Sequence, residues 1–237
     1  MSDNKTAVIT GASGSIGTGL VDGFLKQGFN VVGTSLNSSQ SLIASSNLVL
    51  IDGDISKQET AAKVVDAAIQ HFGTLDILVN NAGIFRKKPF TDFIIEDFNA
   101  LVSINLLGFL YITQLAVREM LKRASGSVVT ISASLADQPI AGIDGSVSMM
   151  TKGGLNSITR SLAIEYAKSG IRFNAVAPGA VATSMHKDDP TDALNRSPMG
   201  TFVQVDDIVG AVLYLAQAGQ ITGEVLHVDG GAHAGRW

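Results

Sequence analysis

The chain of 237 residues contains no cysteine. Disulfides, thiolate nucleophiles and thiolate-bound zinc are therefore excluded, and no metal site is expected from the His and carboxylates that remain. Proline is scarce at 5 residues, while 46% of the chain is hydrophobic, so neither a disordered nor a collagen-like chain is compatible with the composition. Aromatic residues make up 6%, which points to a core built of aliphatic side chains. Positive charge is also short, at 17 Lys and Arg against 21 Asp and Glu. With a net charge of −4 there is no basic surplus to neutralise a phosphate backbone, and nucleic acid is not an expected partner. No apolar run approaches the roughly 18 residues of a membrane span. The opening MSDNKTAVIT has neither a signal-peptide core nor an Arg-rich transit pattern, so no membrane association and a cytoplasmic location are expected. There are three tyrosines, Tyr111, Tyr166 and Tyr214. The length suits one α/β domain spanning residues 1–237.

Against these absences stands a regular alternation of apolar, β-rich runs with segments of helical period, the pattern of βαβ units. Strands are expected at Thr6–Thr10, Asn30–Ser35, Leu48–Ile51, Leu75–Asn80, Ser127–Ser132, Arg172–Ala177 and Glu224–Val228. Several are unbroken runs of Val, Ile and Leu, as needed where helices cover both faces of a parallel sheet. Helices are expected near Ser15–Gln27, Lys57–Phe72, Phe98–Arg123, Ser146–Lys168 and Asp206–Gln217, the last capped by Asp206 or a neighbour. The predicted fold is an α/β, Rossmann-type doubly wound parallel sheet of about seven strands. The least regular stretch, Val181–Phe202, follows a strand end, where such sheets bind ligands, and is a candidate substrate lid.

The first strand runs into Thr10-Gly11-Ala12-Ser13-Gly14-Ser15-Ile16-Gly17 and then a helix. Glycines at this spacing permit a tight turn and close approach of backbone to a pyrophosphate, which the free N–H groups at the helix start would receive. Further along come Asp54 after the third strand, Asn80-Asn81-Ala82-Gly83 after the fourth, Asn105 in a long helix, and Ser132 and Ser134 after the fifth strand. Lys152 lies on the next helix, Pro178-Gly179 follows the sixth strand, and Val228-Asp229-Gly230-Gly231 lies near the end.

In this order and over nearly the whole chain, these motifs resemble the short-chain dehydrogenase/reductase family. The resemblance implies an NAD- or NADP-binding crevice. It places Gly11, Ser13, Ser15, Ile16 and Gly17 at the pyrophosphate, Asp54 and Ile55 near adenine, and Asn81, Ala82 and Gly83 beside the adenosine ribose. It further implies Lys152 at the nicotinamide ribose, with Pro178, Gly179, Val181 and Thr183 around the nicotinamide. The turn departs from the family's compact form, which has Gly where this chain has Ser15. Its spacing resembles the extended subgroup, although the length fits the compact one. The resemblance also implies that the helices Phe98–Arg123 and Ser146–Lys168 pair across a homodimer interface, with tetramers the usual outcome.

An acid at the end of the second strand would bind a ribose 2′-hydroxyl and repel a 2′-phosphate. The segment Gly33–Ser39 has neither acid nor Arg. Hydroxyls of Ser35, Ser38 and Ser39 and the amide of Asn37 are candidates to hydrogen-bond a phosphate, so NADP(H) is expected over NAD(H). A plain polar loop is the alternative.

The family's catalytic set, as the resemblance implies it, is Asn105, Ser134 (with Ser132 as alternative), a Tyr and Lys152, the Tyr four residues before the Lys so that both share a helix face. Counting back four from Lys152 gives Ser148. A serine hydroxyl falls short of a phenol's reach by about 4 Å and lacks the phenol's pKa near 10. A water held by Ser148 and Lys152 could fill the gap, or Asp137, Asp144 or His186 could donate the proton, and an iminium substrate would need no acid. General acid catalysis contributes about 10²–10⁴ in rate, so its loss weakens ketone reduction without abolishing hydride transfer. The three tyrosines are expected to be packing residues. Arg86-Lys87-Lys88 is either a solvated run or a rim for an anionic small-molecule substrate. Two functions follow: an oxidoreductase acting on a small carbonyl or imine without the phenol, or a catalytically inactive NAD(P)-binding sensor or assembly subunit.

Overall fold

All seven expected strands form, within two residues of the predicted bounds, in the computed structural model of the chain, which describes residues 4–183 and 197–235. They are β1 (Thr6–Thr10), β2 (Asn30–Ser35), β3 (Leu48–Asp52), β4 (Ile77–Asn80), β5 (Gly126–Ile131), β6 (Ile171–Pro178) and β7 (Val225–Val228). They make one parallel sheet in the order β3-β2-β1-β4-β5-β6-β7. The chain builds outward from β1 to β3 and then returns to place β4 on the other side of β1. The crevice between the ends of β1 and β4 is thus the topological switch point, where such sheets bind ligands.

Side-chain alternation along the strands explains the two layers of core. Ala7, Ile9, Val31, Val79 and Val129 face one side, where α1 (Ser15–Lys26) contributes Leu20, Val21 and Phe24. Val8, Val32, Leu78 and Val128 face the other, against Val64, Val65 and Ala68 of α3 (Gln58–Phe72). In α3 the buried positions fall at i, i+3, i+4 and i+7 from Ala61, and Gly73, in the left-handed region, ends the helix. Phe24 is fully buried, its ring edge-on to Phe29 at 5.1 Å, and truncating it to Ala would cost about 3–5 kcal/mol.

Two helical regions differ from expectation. A short helix, α2 (Ser38–Ser41), follows β2 in what reads as a polar loop. The long helix expected at Phe98–Arg123 is three pieces: α4 (Ile95–Leu101), a π-helical stretch Val102–Leu107, and α5 (Gly108–Leu121). The wider π turn includes the buried Asn105 and shifts the face that each flanking helix presents. The stretch Ile95–Leu121 has an 18-residue window of mean hydropathy 1.8, long and apolar enough by those measures to cross a membrane. This corrects the expectation that no apolar run has that length. Core helices pass the same test, and α5 lays Ile112, Ala116, Val117 and Met120 into the second core layer.

The remaining helices are α6 (Ser146–Tyr166), which a 3-10 turn Ala167–Ser169 extends, and α7 (Val205–Gln217). A neighbour of Asp206 caps α7: Gln204 and Asp207 form a reciprocal capping box. Tyr111 and Tyr166 pack on the second core layer, as expected, but Tyr214 is 58% exposed on α7. Of the candidate lid, Val181 pairs with Val203, while His186 lies outside the described residues.

Candidate active site

The Gly turn and the Asn-Ala-Gly segment are joined through Thr10, at the end of β1. Its hydroxyl oxygen accepts hydrogen bonds from the backbone N–H groups of Asn81 (3.0 Å) and Ala82 (2.9 Å). The Asn81 amide donates in return to the carbonyls of Thr10 and Gly11 at 3.0 and 3.1 Å. Thr10 is therefore a positioning residue that sequence reasoning passed over, because a strand-ending Thr carries no motif signal. The turn itself needs its glycines. A Cβ on Gly17 would stand 2.0 Å from the Gly11 carbonyl oxygen, whereas one on Gly14 would meet only that oxygen, at 3.5 Å. Gly14 is exposed and is the N-cap of α1, which has no side-chain cap. The first N–H groups of α1 are thus left to an outside acceptor, and the residues present fit a dinucleotide pyrophosphate.

Asn105 and Lys152 converge on Gly83, where an added Cβ would lie 3.2 Å from both Asn105 Oδ1 and Lys152 Nζ. Asn105 donates to the Ile84 carbonyl (3.0 Å) and the Thr151 hydroxyl (2.9 Å) and accepts from the Ile84 N–H (2.8 Å). The Lys152 ammonium donates to the carbonyl of Ile131, the last residue of β5, at 2.8 Å. Burial of that ammonium pushes its pKa down to about 8. Ser132 is engaged, its hydroxyl donating to the Lys152 carbonyl at 3.3 Å. The Ser134 hydroxyl, just beyond β5, has no partner among the described residues. Of the two serines, Ser134 is the one free to meet a ligand.

Ser148 is fully buried, and its hydroxyl donates to the Arg86 carbonyl and accepts from the Arg86 N–H, both at 2.9 Å. It is committed to the chain segment after Gly83, and its one proton is spent there rather than on a water between Ser148 and Lys152. The same segment is held by Asp97 of α4, whose buried carboxylate meets Arg86 Nη1 at 2.9 Å and Lys88 Nζ at 2.5 Å. Arg86 and Lys88 thus share one counter-charge, which offsets part of the run's positive charge and leaves the exposed Lys87 outside the cluster. Hydrogen bonding from Lys88 holds the Asp97 carboxyl below its usual pKa.

Asp54 accepts from the Ser56 N–H at 2.9 Å, and Ile55 packs against Gly108. Gly179 donates to the Val228 carbonyl at 3.0 Å, and a Cβ on it would strike Asp229 at 2.7 Å, so Pro178-Gly179 lies flush on the Val228–Gly231 segment. Val181 is buried and Thr183 half-buried. Asp137 shares one oxygen between His227 Nε2 and the Asn156 amide, both at 3.1 Å, and is occupied as a packing carboxylate. Asp144 is exposed, and α6 is capped at Gly145 rather than by its side chain. At the end of β2, the hydroxyls of Ser38 and Ser39, expected to await a phosphate, are already bound to the carboxylate of Asp52, the last residue of β3. Ser35 has a buried, unpartnered hydroxyl, and Asn37 is exposed.

A glycine turn at the switch point of a doubly wound parallel sheet, with Asn105 and Lys152 brought by helices to Gly83 beyond β4, defines a dinucleotide-binding α/β protein. The family described as "Enoyl-(Acyl carrier protein) reductase" matches residues 11–233. The 2-dehydro-3-deoxy-D-gluconate 5-dehydrogenase of Bacillus subtilis (strain 168) is 36% identical over 96% of this chain and 94% of its own length. ElxO with NADP bound superposes with a TM-score of 0.92 at 28% identity, covering 98% of this chain and all of that one. The 3-ketoacyl-(acyl-carrier-protein) reductase of Brucella melitensis, complexed with NADH, has a TM-score of 0.91 at 30% identity, covering 97% and 98%. The chain belongs to the short-chain dehydrogenase/reductase family.

Proposed function

We propose that the chain is a nicotinamide-dinucleotide-dependent oxidoreductase that transfers hydride to a small carbonyl or, preferentially, an iminium carbon, without a phenolic acid. The observation that carries this reading is the state of the side chains around Gly83. Asn105 and Lys152 meet at Gly83 and the Ser134 hydroxyl, just beyond β5, is unspent, while Ser148 is locked in the fold. The bound dinucleotide supplies the hydride. The Gly11–Gly17 turn and the start of α1 hold its pyrophosphate, Asp54, Asn81 and Ala82 line the adenosine side, and Lys152 binds the nicotinamide ribose. Ser134 polarises the substrate by donating its hydroxyl hydrogen bond. Asn105 is a positioning residue that fixes the backbone of Ile84 beside Gly83. A ketone receiving hydride also needs a proton, which in the absence of a phenol comes from water. An iminium receiving hydride becomes a neutral amine and needs none, so its reduction suffers least from the serine at 148.

The apolar side chains exposed on the helices implied at the family's dimer interface, Leu110 and Leu121 of α5 and Met150 and Ile164 of α6, support a homo-oligomer assembled through those helices. The commitment of Ser148 to the fold also favours a second reading, a dinucleotide-binding sensor or assembly subunit without turnover. The two separate in one assay. Purified protein is given NADH or NADPH with ketones, aldehydes and cyclic imines, and the oxidoreductase reading expects turnover, highest on imines, that falls at least tenfold in Ser134→Ala and Lys152→Ala. Binding of dinucleotide with no oxidation across the panel would establish the second reading instead.

A further inference from the structure

β2 ends at Ser35, and the β2–β3 register pairs Ser35 with Asp52. The carboxylate of Asp52 lies against the loop that leaves β2. One oxygen accepts from the Ser38 hydroxyl at 2.7 Å and the Ser39 N–H at 2.9 Å, and the other accepts from the Ser39 hydroxyl. Of the donors expected to meet a 2′-phosphate here, the Ser38 and Ser39 hydroxyls are already spent on a fixed negative charge, which leaves the buried Ser35 hydroxyl and the Asn37 amide. These hydrogen bonds, that of the Ser39 hydroxyl foremost, hold the carboxyl pKa down to about 2, so the charge persists across any assay pH. No Lys, Arg or His occurs between Gly28 and Ser56 or in the Gly11–Gly17 turn to offset it.

We infer that Asp52 is the specificity-determining residue that makes this crevice prefer NAD(H) over NADP(H), acting from the end of β3 in the role of an acid at the end of β2. The inference rests on the reading of the crevice as a nicotinamide-dinucleotide site, and it replaces the NADP(H) expected from Gly33–Ser39 alone. A phosphate dianion placed at the β2 end meets Asp52 at close range with no cation to share it, and must also displace the carboxylate to gain the Ser38 and Ser39 hydroxyls. The ribose 2′-hydroxyl of NAD carries no charge and meets neither obstacle.

Dissociation constants for NAD and NADP, measured on the whole chain at low and high salt, test the assignment. Wild type is expected to bind NAD at least tenfold tighter than NADP, with the ratio shrinking as salt screens the carboxylate. Asp52→Asn keeps an acceptor for Ser38 and Ser39 but removes the charge. It should raise NADP affinity about tenfold, leave NAD within twofold and abolish the salt dependence of the ratio. Asp52→Glu should retain the NAD preference. Equal or tighter binding of NADP by wild type would overturn the inference. So would loss of both dinucleotides in parallel in Asp52→Asn, which would make Asp52 a loop anchor only. If Asp52→Asn fails to fold, the salt dependence of the wild-type ratio decides. Binding of neither dinucleotide to wild type would overturn the crevice reading itself, and the inference with it.

Discussion

The hydroxyl oxygen of Ser148 lies 2.9 Å from both the backbone nitrogen and the backbone oxygen of Arg86, and the side chain is wholly buried between them. One serine thereby satisfies a donor and an acceptor on a segment that has no strand partner. Ser148→Ala should destabilise the fold by about 1–3 kcal/mol in a urea titration, because two backbone groups lose their partner at once. Its kcat should stay within about threefold of wild type, since the proposed route gives it no part in general acid catalysis and the larger losses of about 10²–10⁴ belong to groups that have one. Ser148→Tyr must give up the same clamp. If a phenol there reaches the crevice, ketone reduction should rise by at least tenfold while stability falls. No gain in a variant that folds and binds dinucleotide would show a crevice arranged for other chemistry.

Lys152 carries a pH dependence whose sign is fixed by its environment. Its ammonium is buried, with a folded pKa of about 8 against 10.5 for the unfolded side chain. Between those values the unfolded chain holds a proton that the folded chain has released, so this group makes stability rise with pH in that window. Below pH 8 both states are protonated and the slope vanishes. Lys152→Met removes the effect. The unfolding free energy of wild type minus that of Lys152→Met should therefore climb by roughly 1.4 kcal/mol per pH unit between 8 and 10. A flat difference, measured by urea unfolding at four or five pH values, would place the ammonium in water.

The fold was legible where it depends on local pattern. Runs such as Val31–Val32 and Leu78–Val79, bounded by turn residues, mark buried parallel strands whatever their neighbours do. The break in the long helix was not, because the π turn at Val102–Leu107 interrupts no apolar period and contains no Gly or Pro before Gly108. At the candidate site the motif residues were readable, but their engagements were not. Ser38 and Ser39 meet Asp52 only because the β2–β3 register brings Ser35 opposite it. Likewise Arg86-Lys87-Lys88 gives no sign in the sequence that two of its cations share the carboxylate of Asp97 on α4. Long-range pairing of polar side chains leaves no periodicity in a single sequence.

The two glycines at 14 and 17 should separate folding from ligand binding. Gly17 admits no Cβ, because the Gly11 carbonyl oxygen would lie 2.0 Å away, and Gly17→Ala should destabilise by about 1–3 kcal/mol or more through forced movement of the turn. Gly14 has an ordinary extended backbone, φ −75, and room for a methyl group. Gly14→Ala should thus unfold within about 0.5 kcal/mol of wild type. Its affinity for dinucleotide should nevertheless drop at least tenfold, because the methyl occupies the face where the pyrophosphate backbone approaches. Calorimetric titration beside a denaturation curve checks both halves, and unchanged affinity in Gly14→Ala would move the pyrophosphate away from this turn.

Asp97 ties the strap after Gly83 to α4, with its side chain 6% exposed and two cations, Arg86 and Lys88, converging on its two oxygens. Lys88, chiefly by its hydrogen bond, sets the carboxyl pKa below the ordinary 3.8. A carboxylate whose folded pKa lies below its unfolded value contributes stability above about pH 4. That contribution disappears as the pH falls through the folded value. Asp97→Asn should accordingly lower Tm at pH 7, where both cations lose their counter-charge, and the gap from wild type should close as the pH is taken toward 3. Removing the carboxylate also makes the rim more basic, so the variant should bind inorganic phosphate or sulfate more tightly than wild type at low salt. A Tm gap that stays constant from pH 7 to 3 would mean that Asp97 holds the strap by shape and hydrogen bonding alone, with no part played by its charge.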